Sequence, residues 1–172
     1  MKFDVIIIGG DRKDAEAGLN WLFEKKSVCL IARGGLIGVS PEERAKFVQA
    51  GGTLLCSDAV SKVEWNEDGS VARLWTENLG QTPLEADLYV LAAGRFVSGG
   101  LRSDMNRVWE PVFGADVQFE PDPEKWCSED FFAPQPFEGF GVKTAAPNKV
   151  LKDGKPVRNL IAYGEIIAHK IS

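Results

Sequence analysis

The chain has 172 residues, of which 44% are hydrophobic and 26% are charged, and its formal net charge is −5. This length allows one compact domain with a substantial core, and the mixed composition is typical of a soluble globular protein rather than a disordered one. The acidic balance and the lack of a basic patch in the sequence exclude the pattern expected of a nucleic-acid-binding protein, so no nucleic-acid partner is predicted.

The first 33 residues predict a strand–helix–strand unit. Residues 3–8 are almost wholly apolar, as expected of a parallel strand covered on both faces, and residues 28–32 repeat this pattern. Between them, residues 14–25 have apolar side chains at helical spacing. The first apolar run is short and has no small-residue cleavage site, which favours a buried strand over a signal peptide or a membrane span.

The remaining elements follow from capping and turn residues. Ser40-Pro41-Glu42-Glu43 predicts a helix start, and the helix is expected to run to about Ala50. The turn chemistry of residues 66–69 predicts a hairpin. Further strands are predicted at residues 53–56, 59–65, 71–77, near 82–85, 87–94 and 159–163. Together these elements predict an α/β, Rossmann-like three-layer fold with a parallel sheet, helices and a β-meander.

Residues 96–140 are rich in proline, glycine and aromatic side chains. We interpret them as an irregular lobe inserted in a single domain that covers residues 1–172. If the fold leaves the aromatic side chains of this lobe uncovered, they are expected to form a surface for a partner.

The glycine-rich turn after the first strand has an altered phosphate-binding pattern. Residues 9–14 are Gly-Gly-Asp-Arg-Lys-Asp, whereas a dinucleotide loop has G-x-G-x-x-G. Gly9 matches the first glycine, but Asp11 places a negative side chain where a pyrophosphate approaches, and Asp14 is predicted to be the helix N-cap. Arg33 ends the second strand, where an acid usually binds an unmodified ribose and an arginine suits a 2′-phosphate. The turn is therefore either a working phosphate site or a structural remnant of one.

Several motifs in the second half carry a family resemblance. They are LAAGRFVSGGL at 91–101, WEPVFGADV at 109–117, DFFAPQPF at 130–137, FGVKT at 140–144 and NLIAYGE at 159–165. Through them the chain resembles the B subunit of anaerobic glycerol-3-phosphate dehydrogenase, a relative of the fumarate-reductase-type flavoproteins. It departs from that family at Tyr163, where the family has a small residue, in the altered glycine turn, and around residues 34–39, where a long segment of the family is not found. The family also continues beyond Gly164-Glu165 into another glycine-rich turn and a helix.

The resemblance implies a bound flavin, FAD or FMN. The implied flavin contacts are Gly9, Gly10, Arg33, Val60, Gly94, Gly164 and Glu165. Arg95 and Arg102 flank Ser98-Gly99-Gly100 and are candidates to bind an anionic substrate, a phosphate or a carboxylate. The alternatives are that Gly94 and Gly164 only make tight turns and that the two arginines are ordinary exposed loop residues.

The resemblance also implies partners and a location. A subunit of this kind passes electrons from a catalytic subunit towards an iron–sulfur, membrane-associated subunit, so a cytoplasmic protein is expected, peripheral to the inner membrane through its partner and without direct membrane insertion. A homo-oligomer is a further option. Within the chain, Cys29, Cys56 and Cys127 form no CxxC pair, which predicts no metal site, and the single His169 leaves catalytic residues unknown. The alternative function is a degenerate, cofactor-free domain that acts as an interaction or assembly module.

Overall fold

A mostly parallel sheet of seven strands forms the centre of the protein, whose computed structural model describes residues 1–171. The strand order is β11-β12-β13-β6-β1-β2-β3. The strands and helices of the first half are β1 (Lys2–Ile8), α1 (Arg12–Phe23), β2 (Val28–Ala32), α2 (Pro41–Gln49), β3 (Thr53–Cys56), β4 (Val60–Trp65), β5 (Val71–Thr76) and β6 (Glu85–Leu91). Those of the second half are β7 (Arg102–Ser103), β8 (Val108–Trp109), β9 (Val117–Gln118), β10 (Gly141–Val142), β11 (Thr144–Ala145), β12 (Lys149–Lys152) and β13 (Lys155–Ala162).

The central strands pair as their apolar sequences predict. β1 pairs in parallel with β2 and with β6, and β13 adds to β6 in the same direction. All five residues of β2 are buried, which is why the sequence shows an unbroken apolar run rather than alternation. Because the chain moves from β1 to β2 on one side and later inserts β6 on the other, the sheet has a switch point at the carboxyl end of β1.

Both α-helices begin with a reciprocal capping box. The first helix, α1, begins earlier in the sequence than predicted. Ser40 caps α2 as expected, with Pro41 as the first helical residue. In α1 the N-cap is Asp11, and Asp14 is the third residue of the helix, so the prediction of Asp14 as N-cap is wrong. The side chain of Asp14 instead reaches back to the backbone N–H of Asp11, which makes Asp14 the second half of the box.

The predicted hairpin forms, but the third strand that was predicted to follow it does not. β4 and β5 pair as antiparallel strands. Residues 82–85 contribute only an isolated bridge between Leu84 and Leu74, and Glu85 already belongs to β6. The Thr82 N–H donates to the Leu79 carbonyl at 3.1 Å within the preceding turn, so it does not extend the ladder to β5.

The meander is fixed to the sheet by a buried side chain. The Asn159 amide of β13 donates to the Val71 carbonyl at 2.8 Å and accepts from the Val71 N–H at 2.9 Å. These two hydrogen bonds hold the hairpin against one face of the sheet, where an apolar core forms. The helices α1 and α2 cover the other face.

In the lobe between residues 96 and 140, some of the aromatic side chains pack against one another. Phe119, Trp126 and Phe140 meet edge to face, with ring centroids 6.0 to 6.4 Å apart. By contrast, Phe131 and Phe132 are 85% and 93% exposed. The lobe therefore carries an uncovered aromatic pair, and its use as a partner surface stays a prediction. Among residues 1–171, neither helix combines the length and the hydropathy that a membrane span needs.

Candidate functional site

A cleft of about 1020 Å³ lies at the carboxyl ends of β1, β2 and β6, at the switch point of the sheet. Open α/β sheets bind ligands at this position, and the volume is at the upper end of the range for small-molecule and cofactor sites. The predicted contact residues that line it are Gly9, Gly10, Arg33, Val60, Gly94, Arg95, Arg102 and Glu165. Gly164 is not among the lining residues, although its neighbour Glu165 is.

Gly94 and Gly164 differ in what they require of their surroundings. Both have a positive φ, of +69° and +76°, which favours glycine at each position. A Cβ on Gly94 would also overlap the Ser98 hydroxyl, which donates to the Ala93 carbonyl at 2.6 Å. A Cβ on Gly164 would meet open space. Gly94 thus shapes the wall of the cleft, whereas Gly164 is a turn residue beside it.

The glycine turn is occupied by a side chain of the protein itself. Asp14 is 2% exposed, and its Oδ2 accepts from the backbone N–H of Gly10 at 2.8 Å and of Asp11 at 3.0 Å. The Asp11 carboxylate in turn accepts from the Asp14 N–H at 3.0 Å. A Cβ on Gly9 would overlap the Asp14 carboxylate. Gly9 is therefore needed to make room for Asp14 as the turn stands.

Burial of Asp14 has an electrostatic consequence. Desolvation raises the pKa of its carboxyl to about 6, more than the two backbone N–H donors lower it, and the nearby Asp11 adds to the rise. The folded protein therefore binds this proton more tightly than the unfolded chain does.

We expect this proton to make folding stability depend on pH. Because the pKa is raised on folding, the stabilisation is present at low pH and is lost as the pH rises from about 4, the ordinary value for aspartate, through about 6. Asp14→Asn removes the group, so the difference in free energy of unfolding between the variant and the wild type should change across this window. Urea denaturation at several pH values measures it, and a constant difference between about pH 4 and pH 7 would contradict the raised pKa.

The basic residues near the turn do not offset its acids. Arg12 pairs with Glu43 of α2 at 2.7 Å and with Glu16 of its own helix at 3.2 Å. Asp11 lines the cleft with Asp14, so this end of the cleft is acidic.

Another part of the cleft wall is basic. Gly99 has a φ of +79°, and a Cβ there would lie 2.8 Å from Nη1 of Arg33, so the Arg33 guanidinium packs against this glycine. The Arg95 carbonyl accepts from the N–H groups of Gly100 and Leu101, which brings Arg102 next to the same turn. Within the described chain, Nη1 of Arg95 is buried without a hydrogen-bond partner, and no ion pair includes any of the three arginines. Arg33, Arg95 and Arg102 form an arginine cluster that is suited to an anionic group.

Some lining residues had no counterpart in the sequence predictions. Asp58 follows β3 and is 2% exposed, and its Oδ1 accepts from the N–H of Ala59 at 2.9 Å and of Asn78 at 3.0 Å. A signal was available, since polar residues directly after parallel strands collect at one edge of the sheet. Pro111 and Val112 also line the cleft. They lie beside Glu110, whose buried carboxylate accepts from several N–H groups of this turn.

The cleft fits a dinucleotide cofactor in position and size, but the glycine turn does not fit its pyrophosphate. The N–H groups of Gly10 and Asp11 already donate to a carboxylate, and the acids Asp11 and Asp14 oppose a second negative group. The arginine cluster is the part of the cleft whose charge suits an anion.

Comparison with known proteins agrees with the architecture. Residues 31–171 match the FAD binding domain family. Over 77% of its length the chain is 36% identical to the B subunit of anaerobic glycerol-3-phosphate dehydrogenase from Vibrio vulnificus, and over 72% it is 40% identical to the corresponding protein from Actinobacillus pleuropneumoniae. It spans 31% and 30% of the lengths of these two relatives. The covalent putidaredoxin reductase–putidaredoxin complex gives a TM-score of 0.46 at 18% identity, covering 63% of this chain and 30% of that one.

The match begins within β2, at its last two residues, and covers the meander, the arginine cluster and β13, but not the glycine turn. The predicted Rossmann-like α/β fold and the predicted resemblance to the B subunit of the dehydrogenase are both confirmed. The chain belongs to the FAD binding domain family.

Proposed function

We propose that this chain is the flavin-binding part of an oxidoreductase subunit of the kind found as the B subunit of anaerobic glycerol-3-phosphate dehydrogenase. The observation that carries the proposal is the cleft at the switch point, where all the predicted contact residues except Gly164 line one space. A flavin supplies hydride or electron transfer, and the protein around it supplies position and electrostatics.

FAD is the proposed cofactor, and FMN is the alternative. The family match and the volume of about 1020 Å³ support the larger cofactor. The proposed contacts are Gly9, Gly10, Arg33, Val60, Gly94, Gly164 and Glu165, with Gly164 acting through its turn rather than as part of the wall.

Arg95 and Arg102 are proposed to bind an anionic group of the substrate, a phosphate or a carboxylate, with Arg33 beside them. The buried Nη1 of Arg95 supports this role, because a buried donor without a partner favours a ligand that accepts from it. The substrate itself would be a small polyol phosphate, by analogy with the glycerol-3-phosphate for which the relatives are named.

The partners and location follow from the same analogy. The relatives are named as subunits of a dehydrogenase. We propose that the domain works in a complex with a catalytic subunit and an iron–sulfur subunit, in the cytoplasm and peripheral to the inner membrane. A homo-oligomer is the other assembly to test.

The second candidate function is a cofactor-free interaction or assembly module of the same fold. The specific observation in its favour is the Asp14 carboxylate on the N–H groups of the glycine turn. The exposed pair of Phe131 and Phe132 is its proposed contact surface.

A binding titration separates the two candidates. We expect FAD added to the purified protein to change its visible spectrum and fluorescence, and Arg33→Ala to weaken that binding by about tenfold or more, as is usual when a hydrogen bond to a charged group is lost. Arg107→Ala is the matched control, since Arg107 is exposed and pairs with Asp104 away from the cleft wall. The affinity of Arg107→Ala for FAD should equal that of the wild type.

Parallel titrations with FMN and NADPH identify the cofactor. Saturable binding of FMN but not FAD would transfer the proposal to FMN. A colourless protein that perturbs none of the three ligands would contradict the flavoprotein proposal and support the assembly module.

A further inference from the structure

We infer that Asp14 is an autoinhibitory residue: its carboxylate occupies the anion position of the glycine turn and must leave before a dinucleotide phosphate can bind there. The inference rests on the proposed function, because it concerns how the same cleft takes FAD.

The geometry of the turn is the first support. A phosphate at the start of such a helix accepts from free backbone N–H groups, and Oδ2 of Asp14 accepts from two of them, those of Gly10 and Asp11. The carboxylate thus makes the hydrogen bonds, and carries the charge, that a phosphate oxygen would bring. One donor cannot serve both anions fully, so the side chain and the ligand compete.

The surroundings of Asp14 are the second support. Asp14 lines the main cleft and also a separate cavity of about 240 Å³ behind the first turn of α1. That cavity is lined by Ile7, Ala17, Asn20, Trp21, Val90, Ile161 and Tyr163 together with Asp14. The side chain therefore borders space outside the turn.

The charge of the turn is the third support. Asp11 adds a second carboxylate on the cleft side, while Arg12 is paired with Glu43 and Glu16. A ligand phosphate at the turn would meet two negative groups, Asp11 and Asp14. Removal of the Asp14 side chain frees two N–H donors and deletes one of the two charges.

The test measures FAD affinity in Asp14→Ala by fluorescence titration, with inorganic pyrophosphate as a competing probe. We expect Asp14→Ala to bind FAD at least about tenfold more tightly than the wild type, and pyrophosphate to compete with FAD with a lower inhibition constant in the variant. Alanine favours the helix, which keeps α1 intact. The control is Glu24→Ala, which removes the same charge from an exposed position at the other end of α1 and should leave the affinity unchanged.

The outcomes separate this inference from the proposed function. Equal and measurable affinity in the wild type and in Asp14→Ala overturns the inference and leaves FAD binding in place. No binding in either protein overturns both. If Asp14→Ala does not fold, as judged by circular dichroism, Asp14→Asn replaces it: the amide keeps an oxygen near the N–H groups without the charge, and a gain in affinity of severalfold supports the inference, whereas no gain overturns it.

Discussion

Glu110→Ala is expected to lower the free energy of unfolding by about 3 kcal/mol, the upper end of the loss when buried donors are left without their hydrogen-bond acceptor. The Glu110 carboxylate is 2% exposed and accepts from the N–H of Val112 at 2.6 Å, of Phe113 at 2.8 Å and of Ala115 at 3.2 Å. Burial raises the pKa of this carboxyl, against the lowering effect of the backbone donors. Alanine would leave these N–H donors buried and unpaired, and an unpaired buried donor costs its full desolvation free energy.

The loss should extend to the cleft, because the same turn carries Pro111 and Val112 into its wall. Chemical denaturation of Glu110→Ala measures the change in stability, and the FAD titration measures the change in the site. Glu129→Ala is the matched control, since Glu129 is an exposed acid of the same lobe, and its stability should stay within about 0.5 kcal/mol of the wild type. A Glu110→Ala protein as stable as this control would show that the turn holds its shape without the carboxylate.

Much of the sheet could be predicted because burial on both faces leaves a distinctive sequence. The predicted bounds of β2 and β3 agree with the structure, since glycines and polar residues bracket short apolar runs there. The predicted strand near residues 82–85 is wrong for a local reason: the Thr82 N–H donates to the Leu79 carbonyl in the preceding turn, so pairing with β5 is limited to the Leu74–Leu84 bridge.

The capping of α1 shows a different limit of sequence reasoning. Asp11 and Asp14 are both good N-cap residues, and preference for a residue type cannot choose between them. The choice depends on the reciprocal pair, in which each aspartate accepts from the backbone of the other. The consequence for the site, a carboxylate inside the glycine turn, follows only from where that second side chain lies.

The candidate site was predictable where residues follow strands and unpredictable where loops converge. Gly9, Arg33 and Gly94 follow β1, β2 and β6, and parallel strands bring their carboxyl ends together. The contact between Arg33 and Gly99 joins loops that lie far apart in the sequence, and no local pattern reports it. Asp58 lacked a family motif to identify it, although its position after β3 was a usable signal.

Gly100→Ala should lower the stability of the protein more than any other glycine-to-alanine change in the turn between Arg95 and Arg102. A Cβ on Gly100 would overlap the Gly94 carbonyl oxygen and would lie 2.8 Å from the carbonyl oxygen of Ala93. The backbone cannot yield easily, because the Gly100 N–H donates to the Arg95 carbonyl at 2.9 Å. We expect a loss of about 3 kcal/mol in the free energy of unfolding, at the upper end of the usual cost of overpacking.

The same methyl group should also disturb ligand binding, because the turn it distorts holds Arg95 and leads into Arg102. The control is Gly35→Ala in the wall of the same cleft, where an added Cβ meets no heavy atom within 4 Å. Urea denaturation measures the stability of both variants, and FAD titration measures their affinity. Gly35→Ala should match the wild type in stability, and Gly100→Ala should lose both stability and affinity. If Gly100→Ala kept its full affinity while losing stability, the arginine cluster would not be the anion-binding part of the cleft. Loss of both properties, with Gly35→Ala unchanged, would tie the binding of the anion to the backbone turn that positions Arg95.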